Sequence, residues 1–396
     1  MPSTPLEEIQ RRIGTLQTSM AKNGFDGVLI VQRADLFYLT GTGQDAHLFV
    51  PVEGPPTLLV RKNLERVVAD SPLQLTLPVK NLSQLKKEIE SAGHGKLKIL
   101  GMELDVLPVN NYRMYSELFP ETEISDISKL IREARMIKSP YELDLIVKAA
   151  AMNDELYKSL GEILREGMTE MECTALLEAR HRKNGHQGFV RVRRFNQEAL
   201  YGHIVSGSNL AVPSCSVEPT GDPGPTFSLP HGTGFKVIER HQPVHVDYVG
   251  IVDGYMVDQA RTFFLGTPPE QFLDVHSLAL AIQEALIKEG FQGVNAEKLF
   301  ETAIGIASEA GMEEGFLGYP QPVPFVGHGV GLELDELPVV GRKSPYVLQS
   351  GMVITLEPKF FFPGKGMAGI KNSFLVTEEG LKKLTLFDDT VQILSC

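Results

Sequence analysis

Tryptophan is absent from this 396-residue sequence, and cysteine occurs three times, at Cys173, Cys215 and Cys396. Three scattered cysteines supply neither a disulfide framework nor a CxxC zinc pattern. They suit a reducing compartment, so a cytoplasmic location is expected. Without tryptophan, an aromatic wall for a cationic ligand has to come from Phe or Tyr. Basic residues are the minority: 38 Lys and Arg against 50 Asp and Glu leave a net charge of −12. That excludes the usual nucleic-acid binder, whose affinity rests on neutralised phosphates. No apolar run reaches the length of a membrane helix, and Met1–Glu8 has no signal-peptide core. P-loop, GxGxxG, HExxH and GxSxG patterns are missing, as is any short-period repeat. Cys215 near His231 carries little weight for thiol catalysis, because free cysteines mostly pack.

What is present is a chain rich enough in apolar residues, at 42%, to build a large core. Its length suggests two domains. Residues 6–23 carry Leu6, Ile9, Ile13, Leu16 and Met20 at helical spacing. Short apolar runs at 27–31, 48–52, 56–60 and 98–102 then alternate with helical segments, the pattern of an α/β domain. Phe37–Gly41 reads as the end of a helix. A boundary is expected near residue 130, giving domains 1–130 and 131–396. Ser139-Pro140-Tyr141-Glu142 has the N-cap, Pro and capping-box Glu of a helix start. That helix continues to Ala150. Further helices are expected at 153–165, 169–184, 269–289 and 295–310, and strands at 323–328, 351–357 and 369–377. The 199–235 segment is rich in Gly, Pro and Ser, and 217–226 reads as a long loop of the kind that covers sites. Arg191-Val192-Arg193-Arg194 is the one notable basic cluster. It reads as a solvated loop, with a seat for a substrate carboxylate as the alternative.

The chemistry concentrates in residues 245–262. Asp253-Gly254 is a two-residue hairpin signal, since both positions tolerate positive φ. Centring the turn there places Val252 opposite Tyr255, Val249 opposite Asp258 and Asp247 opposite Ala260. Side chains alternate along strands, so Asp247 and Asp258 become diagonal neighbours on one face, about 7 Å apart. Two carboxylates so placed repel unless a cation or proton lies between them. Solvated edge aspartates are the bland alternative.

Downstream stand Gly327-His328-Gly329-Val330-Gly331-Leu332-Glu333 and Ile354-Thr355-Leu356-Glu357-Pro358. Together with the two aspartates and the Met136–Glu142 helix start, these motifs resemble the creatinase/aminopeptidase P/prolidase family. The resemblance implies an α+β architecture: a C-terminal pita-bread domain preceded by a smaller α/β creatinase-like N-terminal domain. It also implies a homodimer, while the net charge and the lack of a long apolar run speak against nucleic acid and membrane as partners. Metal-dependent members use two Asp, one His and two Glu to hold two divalent ions. The matching positions here are Asp247, Asp258, His328, Glu357 and Lys371.

Lysine at 371 is a departure, because an ammonium has no lone pair for a metal and neighbouring acids keep it protonated. Asp258, His328 and Glu357, with Asp247, remain as a set for one divalent ion (Mn, Fe, Zn or Co). The rival arrangement has no metal, Lys371 itself neutralising the carboxylates. Where the family's peptidases carry two histidines, this chain has Ser214 and Asp335. His203 and His245 are candidates to substitute for them, and His231 lies in the loop before the hairpin. The catalytic candidates are thus Glu357, Asp335, His203 and Lys371, and the substrate contacts Ser214, His245, Tyr255 and Arg261. Three functions follow from the resemblance: an Xaa-Pro peptidase-like hydrolase acting on a small peptide-like substrate, a metal-independent creatinase-like enzyme acting on a small C–N compound, and a catalytically silent pita-bread binding protein.

Overall fold

The computed structural model of the protein describes residues 4–213, 215 and 218–394. It divides into two compact units, Met1–Arg135 with Arg193–Gln197, and Met136–Val192 with Glu198–Cys396. Among the described residues no helix is long and apolar enough to cross a membrane.

The first unit is built on a six-stranded mixed sheet. The strand Gly27–Ile30 sits inside it, antiparallel to Ala46–Pro51 and parallel to Ile99–Met102. The helix Leu6–Asn23 buries Ile9, Ile13, Leu16 and Met20, the stripe its spacing anticipates, and Gly24 closes it in the left-handed region at φ 77°. Within the basic run Arg194 is exposed, as read, but Arg193 departs from the solvated reading. Arg193 is buried, its guanidinium bonding Asp35 at 2.7 Å and gripping Asp105 at 2.7 and 3.0 Å. Asp35 also takes Arg135 at 2.6 Å, so each buried charge has a partner.

In the second unit the capping box is made: Ser139 and Glu142 each satisfy the other's backbone N–H. The helix runs unbroken through Pro140–Lys158, and a single turn, Leu160–Ile163, follows. The separate helix anticipated at 153–165 is therefore mostly a continuation, because Ala149-Ala150-Ala151 offers no breaker. This helix lies against the central hairpin. Asn153 donates to the Tyr248 carbonyl at 2.8 Å. Gly250 permits the approach, since a Cβ there would sit 2.3 Å from the Ala149 carbonyl oxygen.

The hairpin strands, Val244–Val252 and Tyr255–Leu265, pair in the anticipated register: Val252 with Tyr255, Val249 with Asp258, Asp247 with Ala260. Asp253 and Gly254 take φ of 48° and 85°, both left-handed, as a primed turn requires. Gly202–Ser206 adds a third strand on one side and Gln392–Leu394 a fourth on the other. Gly202–Ser206 emerges from the Gly/Pro/Ser-rich segment; five residues among turn-formers carry too short an alternation to stand out.

A five-stranded sheet follows the order Glu336–Gly341, Phe325–Gly329, Val353–Leu356, Asn372–Val376, Leu381–Lys383, and Lys359–Phe362 pairs with Gly366–Gly369 beside it. The helices Glu270–Glu289 and Ala296–Glu309 pack on its apolar side through Ala279, Ile282, Leu299 and Ala303, against Ile354 and Phe374. The hairpin sheet and the five-stranded sheet meet where Ala260 bridges Lys371. Asp258 N–H donates to Ser373 Oγ at 3.0 Å in the same place.

Candidate active site

Register assembles the site. His203 lies opposite Asp247, Asp247 opposite Ala260, and Val249 opposite Asp258. His245, two residues before Asp247, shares that face. His328 comes from the strand Phe325–Gly329, paired with Thr355, and Glu357 immediately follows Leu356. The Ala260–Lys371 bridge then delivers Lys371 to the carboxylates.

Asp247, Asp258, His328, Glu357 and Lys371 are all brought together and buried. Lys371 Nζ is 3.0 Å from Asp247 Oδ2, 3.0 Å from Asp258 Oδ2 and 3.5 Å from Glu357 Oε2. A second lysine, absent from the sequence-derived candidates, joins it. Lys359, with 0% exposure, places Nζ 3.1 Å from Asp247 Oδ2 and 3.0 Å from Glu357 Oε2. It donates hydrogen bonds to Asp247 Oδ2 and to Thr220 Oγ1, the latter at 3.0 Å. Two ammoniums and two carboxylate oxygens thus alternate around a closed ring. The signal available in the sequence was a basic residue two positions after Glu357.

The charges explain the protonation states. Burial would neutralise Lys371, but Asp247, Asp258 and Glu357 outweigh it and hold the ammonium well above its ordinary range. Burial would likewise raise Asp247 and Glu357, yet Lys371 and Lys359 hold both carboxyls below their usual range. Asp258 is pushed up to about 6, first by burial and then by Asp247 and Glu357, with Lys371 opposing. His328 is also buried, but Asp335, Glu357 and Asp258 raise it above an ordinary imidazole. Its Nε2 lies 3.7 Å from Asp258 Oδ2 and 4.0 Å from Glu357 Oε1. Its Nδ1 lies 3.8 Å from Asp335 Oδ1.

His203 and His245 stand beside this ring as neutral imidazoles, lowered by burial to about 3 and about 4. Five buried polar atoms here have no hydrogen-bond partner: His203 Nε2, both ring nitrogens of His245, Asp258 Oδ1 and Glu357 Oε2, the last only in ion-pair range of the lysines. Loop residue Glu218 also feels the ring; burial raises it to about 7 while Lys371 opposes. Ser214 lies outside the described residues, and His231 is half-buried in its loop.

Tyr255 and Arg261, taken from the sequence as substrate contacts, are not brought to the ring. Odd and even positions of a strand face opposite ways, and both fall on the side opposite Asp258. Tyr255 donates to Glu142 at 3.0 Å. Arg261 is spent on the C-terminal segment, bonding the Asp388 and Phe387 carbonyls at 2.7 Å each and Asp389 Oδ1 at 2.8 Å. Among the described residues no group of three or more His, Cys, Asp or Glu is arranged to hold a metal ion.

Comparison with known proteins matches residues 144–378 to metallopeptidase family M24 and residues 12–137 to the creatinase/prolidase N-terminal domain. An Xaa-Pro dipeptidase of Pyrococcus horikoshii is 30% identical over 370 residues, 92% of this chain and 94% of that protein. An uncharacterized peptidase of Bacillus subtilis is 26% identical, over 96% of this chain and 97% of its own. Among solved structures, the prolidase of Pyrococcus horikoshii OT3 superposes with a TM-score of 0.80 at 28% identity, covering 96% of this chain and 99% of that one.

Proposed function

The chain belongs to metallopeptidase family M24, a creatinase N-terminal α/β domain followed by a pita-bread domain, and on that premise we propose that it hydrolyses a C–N bond of a small peptide-like substrate without a resident metal. One observation carries the metal-free part: the carboxylates that would hold the ions are closed on two buried ammoniums. That donor set does not fit a divalent ion, because ammoniums repel it and offer it no lone pair. Three carboxylates and two ammoniums sum to −1.

The reaction then falls to groups with unused hydrogen-bonding capacity. Lys359 hydrogen-bonds Asp247 and Thr220, Lys371 hydrogen-bonds Asp247 and Asp258, and Glu357 Oε2 lies in ion-pair range of both. Both ammoniums act as counter-cations to the three carboxylates. Asp258 Oδ1 has no hydrogen-bond partner and sits on a carboxyl more basic than usual. It takes one proton from a water whose oxygen bonds to the scissile carbonyl carbon. His328, held toward its imidazolium by Asp335 and Glu357, gives a proton to the departing nitrogen as the C–N bond breaks. The proton on Asp258 then passes to His328 Nε2, and the starting state returns. His203 and His245 supply polar contacts to the substrate, since an unpaired buried imidazole nitrogen is costly until something bonds it.

The relatives named Xaa-Pro dipeptidase make Xaa-Pro dipeptides the first compounds to test. Small N-acyl and guanidino acids come next. Chelator-dialysed protein is assayed for amine release with and without added Mn²⁺. Turnover that is equal in both is expected. Turnover only with added ion would restore a metal mechanism, and none in either would favour a silent binding protein.

A further inference from the structure

Lys359 has no counterpart among the roles read from the sequence, yet it completes the ring. Lys371 alone leaves Glu357 poorly compensated, at 3.5 Å. Lys359 reaches the same oxygen at 3.0 Å and shares Asp247 Oδ2 with Lys371, at 3.1 and 3.0 Å. Both lysines are at least nine-tenths buried, where a carboxylate cluster is tolerated only with matching positive charge. We propose that Lys359 and Lys371 are a built-in pair of counter-cations, so that the number of divalent ions this centre accepts is set by how many of the two lysines are removed. The inference rests on the metal-free reading of the same site.

Charge counting gives the expectation. Asp247, Asp258 and Glu357 against two lysines sum to −1. Lys371→Glu changes that to −3, with four carboxylates facing one ammonium. Adding Lys359→Ala makes it −4, with no ammonium left. Carboxylate and imidazole donors then face each other without an intervening cation, a set suited to Mn²⁺ or Zn²⁺.

The full-length wild type, Lys371→Glu, and Lys359→Ala/Lys371→Glu are stripped with EDTA, dialysed against excess Mn²⁺ or Zn²⁺, and desalted. Ions per chain are counted by elemental mass spectrometry. The expected counts are none, about one and about two, in that order, with a Mn²⁺-dependent rise in Tm in the variants only. A wild type that takes up an ion lost on Asp258→Asn overturns the inference. So does a double variant with native circular dichroism that takes up none. Should the double variant fail to fold, Lys371→Ala is melted with and without Mn²⁺: a rise in Tm is expected, and no rise overturns the inference. Ion counts as expected with no hydrolysis of any substrate would remove the proposed reaction and leave the cation pair standing. Chelator-resistant hydrolysis beside a folded, ion-free double variant would do the reverse.

Discussion

Lys359→Met removes one buried cation and leaves its carboxylates in place, so its cost can be worked from the ring. Asp247 keeps Lys371 at 3.0 Å, but Glu357 keeps it only at 3.5 Å. Glu357 is 1% exposed and cannot recover water. Breaking a buried pair from one side costs about 3–5 kcal/mol, and that loss is expected at pH 7 in chelator. The pH dependence has a definite sign. Lys359 is one of the groups holding the folded Glu357 carboxyl down, so its stabilisation is present above the unfolded carboxylate pKa and fades as pH falls through the folded one. The deficit of Lys359→Met therefore shrinks as pH is lowered and Glu357 protonates. Urea unfolding followed by near-UV circular dichroism reads both effects. Adding Glu357→Gln should recover much of the loss, because the stranded charge is gone. If the two substitutions add within about 0.5 kcal/mol, the sites are uncoupled, and the ring is not what stabilises this region.

Two further outcomes follow from groups outside the ring. His181 and His186 stack at 4.1 Å and share the Val249 carbonyl oxygen, at 3.2 and 3.0 Å; burial lowers them to about 4 and about 3, His181 adding to the shift of His186. The unfolded chain then binds more protons below the ordinary 6.5, so stability is lost as pH falls from there, by up to about 1.4 kcal/mol per pH unit for each ring; His186→Gln should flatten that slope in denaturation curves taken between about pH 5 and 7. Arg261→Met should cost about 3–5 kcal/mol and speed amide exchange in Phe387–Leu394, while KM stays unchanged because the guanidinium serves the C-terminal segment; a raised KM in a stably folded variant would return Arg261 to the substrate.

Much of the scaffold was legible because its causes are local. The Asp253-Gly254 turn and strand alternation set the register that aligns Asp247 with Asp258, all within twenty residues. The Ser139–Glu142 capping box spans four residues and forms as read. The lysine at 371 was visible as a departure from a family pattern. The solvated reading of the basic run failed at Arg193, where the partners are distant. Arg193 looked solvated because its run is basic, but its acids, Asp35 and Asp105, lie 158 and 88 residues away in sequence. Tyr255 and Arg261 lie on the same hairpin as Asp258 but face the opposite way, where Glu142 and the C-terminal segment engage them.

The sequence by itself determined the Asp253-Gly254 turn, the Ser139–Glu142 cap, the register of the central hairpin and the family to which the chain belongs, since these depend on neighbours along the chain. Only the tertiary structure decided which charges cancel. Lys359 finds Asp247 across 112 residues and Lys371 finds it across 124. Coulomb energy depends on separation in space, so the neutralisation of this centre became visible only when the two sheets were brought together.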